Sequence, residues 1–372
     1  MDVAVVTPRF PPVSTGGGER SASLLATQLA DRERVAGVTV FSFDGTGRSR
    51  EDGVTIRRLG NVSPTVTEYQ TLVAYRRLRN RLRSFDIVHA YNMELHPAVG
   101  CLSATEGVPA VATLNSYHFF PSSVTNTTSG GLERVYELVG LPTTGRVLLW
   151  LMKRIDAFVA LSRAIRGVYR KNGFEGARIE HIPNMVDPGF GVPQDDESNR
   201  TDLLYVGSLT ENKGVKYLIE ALSLLPDEYD LRVVGDGKRM RELRELADAL
   251  GVGGRTEFSG WVPYGRIEDV YARAGLFVHP GIWPEPLNRT VLEAMQAGLP
   301  VVCTDIGGPP EVLPREDILV EPANPEALAD GIERAVADGT NAGVENRRHV
   351  QKNHAPSVVV PRMVDLYEEL LP

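Results

Sequence analysis

Two carboxylates eight residues apart, Glu285 and Glu293, flank a helix start in the segment Pro284-Glu-Pro-Leu-Asn-Arg-Thr-Val-Leu-Glu-Ala-Met-Gln-Ala-Gly-Leu-Pro-Val-Val302. Gly298 and Pro300 end that helix ahead of an apolar run, since glycine accepts a left-handed cap and proline cannot continue the hydrogen-bond ladder. A carboxylate in the loop before a helix can accept hydrogen bonds from sugar hydroxyls, and one further along the helix can take a ribose diol. The N–H groups around Asn288, Arg289 and Thr290 lack intrahelical partners and favour phosphate oxygens, and Arg289 adds a cation. An isolated Glu pair reads as solvated helix charge; the intervening Pro, Asn and Arg, together with the helix stop, reverse that reading.

A second cluster lies in Leu204-Tyr-Val-Gly-Ser-Leu-Thr-Glu-Asn-Lys-Gly-Val-Lys-Tyr-Leu218. Gly207 ends an apolar run, and Lys213-Gly214 open the next helix, where an ammonium beside free N–H groups suits a diphosphate. A loop lysine is ordinarily just solvated. Here the only lysines are Lys153, Lys171, Lys213, Lys216, Lys238 and Lys352, so one at a strand-loop-helix junction carries more weight. The third cluster is Gly16-Gly17-Gly18, also at a helix start, where absent Cβ atoms let backbone N–H groups approach an anion. It lacks the spacing of a dinucleotide fingerprint and the Lys-Ser/Thr ending of a P-loop, so taken alone it reads first as a strand-to-helix connection.

The elements that must position these residues are short β-branched runs, each followed by helical spacing, which predicts parallel sheets with crossover helices. The runs fall at 3–7, 38–43, 54–59, 87–90, 110–114, 157–161 and 179–182, then at 203–207, 231–235, 256–259, 276–279, 301–304 and 318–320. Residues 187–200 are polar and rich in Pro and Gly, the composition of a linker. The expected division is therefore a first domain at 1–186, a linker at 187–200, a second domain at 201–357, and a terminal helix at 358–372 packing back on the first domain. Two doubly wound α/β domains facing a deep interdomain cleft result. Residues 119–145 fit poorly and are expected to be mostly loop with one short helix. The following stretch, 146–155, reads first as a helix packed on the core and second as a face for a membrane or a lipid-linked acceptor.

Composition excludes several classes. The chain has 372 residues, net charge −8 and two cysteines, Cys101 and Cys303, in opposite halves. That argues against a nucleic-acid partner, a disulfide framework and a thiolate zinc site. The apolar stretch 147–152 is far short of the roughly 20 residues needed to span a bilayer, and the N-terminus lacks a basic-then-apolar leader, so a cytoplasmic location is expected, with peripheral contact at the inner face of a membrane as an extension. The scarcity of lysine fits a GC-rich genome or a high-salt cytoplasm. Asp195-Asp196 read as solvated linker charge rather than a metal motif, and the sequons at Asn61, Asn126 and Asn288 carry little weight without a leader.

Taken together, the glycine loop, the Gly207-to-Gly214 segment, Phe258-Ser-Gly-Trp-Val-Pro263, the Glu-x7-Glu helix and Gly307-Gly308-Pro-Pro-Glu311 resemble the retaining GT-B glycosyltransferases of family four, which use nucleotide-activated sugars. The resemblance covers nearly the whole chain. It implies that Trp261, Val262 and Pro263 lie along the base, that Lys213 contacts the diphosphate, Glu285 the donor sugar and Glu293 the ribose, and that Gly16 and Gly17 close over the phosphates. Lys213, Glu285 and Arg289 are the expected catalytic groups, with Asn288 and Thr290 holding phosphate oxygens and no metal or cofactor needed. Two positions depart from the family pattern. Ser208 stands where an Arg commonly completes the diphosphate clamp. Asn115 stands where a His often follows the fifth of the N-terminal runs, with His118 three residues on; both are assigned to the acceptor side. The expected reaction moves a sugar from a UDP- or GDP-linked donor to a glycan or lipid-linked acceptor with retained configuration. An epimerase or phosphorylase on the same scaffold, or a non-catalytic nucleotide-sugar-binding subunit, are the alternatives.

Overall fold

Val3, Ala4, Val5 and Val6 are fully buried, as a central parallel strand between two helical layers requires. The computed structural model describes the chain except residues 15, 63–65, 126–130, 192–199, 316–317 and 339–341, so most of the expected linker, Asp195-Asp196 and Asn126 lie outside the described residues. The chain divides into two compact units: Met1–Met185 with Pro356–Pro372, and Val186–Ala355.

The first unit contains strands β1 (Asp2–Val6), β2 (Gly37–Ser42), β3 (Thr46–Glu51), β4 (Val54–Leu59), β5 (Ile87–Ala90), β6 (Ala110–Leu114), β7 (Ala157–Ala160) and β8 (Ile179–His181). Their order across the sheet is β3-β4-β2-β1-β5-β6-β7-β8. All neighbours pair in parallel except β3, an antiparallel edge. The sequence runs did not predict β3, because all six of its residues are exposed and none is apolar. Connecting helices are α1 (Gly17–Ala30), α2 (Thr67–Leu78), α3 (His96–Glu106), α4 (Ser122–Thr125), α5 (Gly131–Val135), α6 (Arg146–Met152) and α7 (Arg163–Lys171). Between α5 and α6 a π-helix spans Tyr136–Gly145 despite Pro142 within it. The expected loop is thus corrected: 131–152 is continuously helical, and Gly140, Pro142 and Gly145 concealed this by breaking the propensity pattern.

The second unit has strands β9 (Asp202–Val206), β10 (Asp230–Val234), β11 (Thr256–Gly260), β12 (Leu276–His279), β13 (Val301–Thr304) and β14 (Leu319–Val320), all parallel in the order β11-β10-β9-β12-β13-β14. Its helices are α8 (Val215–Leu222), α9 (Met240–Ala249), α10 (Ile267–Ala272), α11 (Arg289–Ala297), α12 (Pro325–Ala337) and α13 (Ala342–Asn353). The last helix, α14 (Pro356–Glu368), belongs to the first unit, where Val359, Val360, Met363, Val364, Leu366 and Tyr367 join a core with Val3, Leu25 and Val40. Burying an aliphatic side chain of this size contributes about 1.5–3 kcal/mol. Arg34 adds pairs to Asp365 and Glu368, and the Tyr367 hydroxyl bonds to buried His89.

In each sheet the winding direction reverses once: between β1 and β5 in the first unit, and between β9 and β12 in the second. The loops leaving the carboxyl ends of those strand pairs diverge and leave room for a ligand. All three chemistry-bearing clusters sit on such loops or on the helices they lead into.

Candidate functional site

In the second unit, the loop after β9 tightens at Glu211–Lys213 and turns through Gly214, whose φ of 70° only glycine adopts without strain. A Cβ there would lie 1.8 Å from the Pro280 carbonyl oxygen, so this glycine also lets the β9 loop pack onto the segment after β12. The resulting geometry brings Lys213 Nζ into an ion pair with Glu285 Oε1, although the two lie 72 residues apart. Both side chains are largely buried, at 16% and 12% exposure. Burial alone would push the Glu285 carboxyl up; the Lys213 charge and hydrogen bonds from Lys213 and Asn288 outweigh it and hold the group below its ordinary value.

Asn288 organises the rest. As the N-cap of α11 its Oδ1 accepts from the Thr290 N–H at 2.8 Å and from Thr290 Oγ1 at 2.7 Å. Its Nδ2 donates to Glu285 Oε2 at 3.1 Å and to His279 Nδ1 at 3.1 Å. With Nδ1 accepting, a neutral His279 carries its proton on Nε2, which faces Glu285 Oε2 at 3.5 Å. Burial lowers the His279 pKa to about 4 and keeps the ring neutral near pH 7. The Gly307-Gly308 loop fixes the backbone beneath: the Gly308 N–H donates to the Glu285 carbonyl at 2.7 Å, and a Cβ on Gly307 would lie 2.5 Å from the Glu285 nitrogen.

Glu293 belongs to a neighbouring cluster. Its carboxylate accepts from the Tyr264 and Tyr271 hydroxyls, each at 3.1 Å, and from Arg289 Nε at 3.0 Å. Burial raises its pKa, and the three donors offset this only in part. Arg289 is therefore turned along its own helix toward Glu293, while Lys213 is held by Glu285: the two candidate cations stand in separate ion pairs. Tyr264 ties the Trp261, Val262 and Pro263 loop to Glu293, and the Trp261 ring is 64% exposed. Ser208 is exposed and its carbonyl accepts from Tyr205. His279, Tyr264 and Tyr271 were not among the candidates from sequence. His279 ends a strand beside the reversal point, a signal available in the sequence, whereas the tyrosines become visible only once α10 and α11 are packed together.

In the first unit, Gly16 caps α1 without any side-chain bond and Gly17 opens the helix. A Cβ on Gly17 would meet nothing within 4 Å, so space is open there; one on Gly18 would come within 3.0 Å of Asn92 Oδ1. Beneath lies a neutral chain in which Asn115 Nδ2 donates to Asn92 Oδ1 at 2.7 Å and Asn92 Nδ2 donates to Thr7 Oγ1 at 3.1 Å. Asn115 thus joins the glycine loop. His118 does not: its Nε2 pairs with Thr67 Oγ1 of α2 at 2.7 Å.

A model of the glycosyl transferases group 1 matches residues 193–356, and one of glycosyltransferase family 4 matches residues 15–190. The chain belongs to the group 1 glycosyltransferases. An uncharacterized glycosyltransferase of Methanocaldococcus jannaschii is 36% identical over 149 residues, 39% of this chain and 37% of that one. An exopolysaccharide phosphotransferase of Streptomyces coelicolor is 32% identical over 237 residues, and the chain spans only 25% of its length. Alpha-maltose-1-phosphate synthase of Mycolicibacterium smegmatis is similar over the full length of both chains, at 24% identity. Among solved structures, Anabaena HepE in complex with UDP and glucose superposes with TM-score 0.78 at 19% identity over 100% of both chains. Sucrose-phosphate synthase from Thermosynechococcus elongatus gives 0.81 at 19% over 99% of this chain and 98% of that one. These likenesses show the two-domain GT-B fold.

Proposed function

We propose that this protein transfers a sugar from a nucleoside diphosphate donor to a glycan or lipid-linked acceptor with retained anomeric configuration, using no metal. The observation that carries the reading is the Lys213–Glu285–Asn288 network beside the helix α11 N-terminus at the β9/β12 reversal. HepE, of the same fold, has been solved with UDP-glucose. In this reading the donor diphosphate draws Lys213 away from Glu285 and lies against the first turn of α11, where Asn288 and Thr290 frame the N–H groups. Glu285, released, accepts hydrogen bonds from the sugar hydroxyls. The exposed Trp261 ring, with Val262 and Pro263, stacks along the base. Glu293 takes the ribose diol, exchanging one of its present donors for it, and Arg289 is then free to turn toward the phosphates. Ser208 leaves the diphosphate clamp with one cation fewer, which places more of the charge on Lys213.

Chemically, the bond between the anomeric carbon and the phosphate oxygen breaks while the acceptor oxygen bonds to the same face. The acceptor proton passes to the departing phosphate. The negative charge that develops is met by Lys213 and the helix N-terminus, already in place before reaction. On the acceptor side, Asn115 offers an amide that donates and accepts, and His118 a ring held by Thr67.

The test is nucleoside diphosphate release from a panel of UDP-, GDP- and TDP-sugars, with and without EDTA. Release that an acceptor stimulates and EDTA leaves unchanged supports the reading. An altered sugar nucleotide without release assigns an epimerase, and saturable binding without turnover assigns a binding subunit.

A further inference from the structure

His279 ends β12, and its ring is buried against the Lys213–Glu285–Asn288 network. The network fixes where its hydrogen stands. Asn288 Oδ1 is committed twice to Thr290, to the N–H and to the hydroxyl, so the amide cannot be turned over without losing the cap of α11. Its Nδ2 hydrogens are then both spent, one on Glu285 Oε2 and one on His279 Nδ1, each at 3.1 Å. A ring nitrogen that accepts from an amide carries no hydrogen itself, so the hydrogen stands on Nε2. Protonating the ring would set Nδ1–H against the Asn288 N–H, and burial opposes that charge as well. Nε2 has room beside the carboxylate because residue 281 is glycine: a Cβ there would lie 2.8 Å from it. Thr304 of β13 braces the bend, its hydroxyl donating to the Gly281 carbonyl at 2.6 Å.

Nε2 lies 3.5 Å from Glu285 Oε2, too far for a strong bond while Lys213 holds the other oxygen, Oε1. Departure of Lys213 changes that balance. A carboxylate so deeply buried cannot stand without donors, and two that stay beside it are the Asn288 amide and the His279 ring. We infer that His279 is a positioning residue: as Lys213 leaves Glu285 for a diphosphate, the carboxylate closes on the His279 Nε2–H, which with Asn288 pins Oε2 and leaves Oε1 to the donor sugar. The ring gives up no proton in this exchange. It supplies a neutral donor, where a second cation would grip the carboxylate too tightly for sugar hydroxyls to compete. The inference deepens the transfer reading and rests on it for what draws Lys213 away.

The hand-over is read first without a donor, by nuclear magnetic resonance of the full chain carrying isotope-labelled histidine, the His279 signals being those lost in His279→Gln. The wild type should show a neutral ring with its hydrogen on Nε2, and in Lys213→Ala that proton should move downfield as the bond to Oε2 shortens. UDP or GDP added to the wild type should shift it the same way. A shift in Lys213→Ala but with neither nucleotide would count against the diphosphate contact and leave the hand-over standing. Turnover is read second, with the sugar nucleotide that the donor panel selects. His279→Asn keeps an acceptor for Asn288 but no longer reaches Glu285, and should lower kcat/KM on the order of tenfold while affinity for the free nucleoside diphosphate changes less than about twofold. A merely structural histidine would weaken both together. His279→Gln, whose longer amide reaches the carboxylate, should recover most of the loss. Gly281→Ala, which pushes the ring aside, should match His279→Asn, and the double variant should be no worse than either. The inference is overturned if the hydrogen sits on Nδ1, if Lys213→Ala leaves the Nε2 proton unmoved, or if His279→Asn turns over like the wild type. The ring signals decide the matter if no sugar nucleotide turns over, and the turnover series decides it if Lys213→Ala does not fold.

Discussion

The two units reverse their sheets in the same way but furnish the reversal points with different chemistry. At β9/β12 an ammonium and a carboxylate are buried against each other, supported by an asparagine and a neutral histidine. At β1/β5 the corresponding place holds glycines, Thr7, Asn92 and Asn115, linked by neutral bonds, and its ion pair, Arg9 with Glu19 in the first turn of α1, leaves the arginine half-exposed. The difference teaches which side handles charge. A buried ion pair contributes little net stability, yet it keeps two opposite charges dehydrated, and in the function proposed above they part when a diphosphate and sugar hydroxyls offer better partners. A neutral amide chain cannot serve that purpose; it can hold a backbone loop in place or meet an uncharged hydroxyl.

Removing Lys213 should break this comparison most severely. Lys213→Ala leaves Glu285 buried without its cation, and loss of one member of such a pair costs about 3 kcal/mol of stability. Turnover should fall on the order of 10- to 150-fold through the lost charge-assisted contact. Melting curves and donor turnover read the two effects separately, and Lys213→Arg should recover more of the stability than of the rate. A Lys213→Ala enzyme with unchanged turnover would remove the charged reversal point from the mechanism.

Acid should sharpen the comparison from the other side. Burial lowers the pKa of His89 and of His96 to about 3, His96 also feeling His89, while His279 in the second unit is lowered to about 4. An unfolded histidine titrates near 6.5. Between these values the unfolded chain takes up protons that the folded chain refuses, so stability is complete above about pH 6.5 and declines as pH falls toward the folded values. At pH 5 each group costs roughly 2 kcal/mol. Burial also lowers His118 in the first unit and the less buried His349 in the second, so the first unit carries three such groups against two, and hydrogen exchange corrected for intrinsic rates should show it loosening first between pH 7 and pH 5. His89→Gln should shrink the measured pH dependence by one histidine's share; an unaltered pH dependence would mean that His89 is not its source.

Much of this was legible in the sequence. Among the described residues, thirteen of the fourteen strands announce themselves as β-branched runs, most because a parallel strand is buried on both faces, and β3 escaped because it is a wholly exposed edge. The motif residues of the second unit also declared their types and their places on loops and helix starts. Partnership did not. Lys213 and Glu285 meet only because β9 and β12 are adjacent, and Glu293 meets Tyr264 and Tyr271 only because α10 packs beside α11.

The smallest expected effect lies in the neutral amide chain of the first unit. Asn115→Ala removes one uncharged hydrogen bond of 2.7 Å to Asn92, worth about 1 kcal/mol. In a unit of this size that lowers the melting temperature by about 2–4 °C. If Asn115 also meets an acceptor hydroxyl, the same magnitude should show as roughly a five-fold rise in acceptor KM with kcat little changed, because an uncharged contact made equally in ground and transition states is a uniform binding contribution. Asn115→Asp then separates the two roles. It adds an anion beside Asn92 Oδ1, already an acceptor, and should destabilise the loop more than alanine does. Were Asn115→Ala instead to cost a hundred-fold in kcat, the first unit would be supplying transition-state stabilisation of its own, and the contrast between the buried Lys213–Glu285 pair and the Asn115 amide chain would no longer describe how labour is divided between the two units.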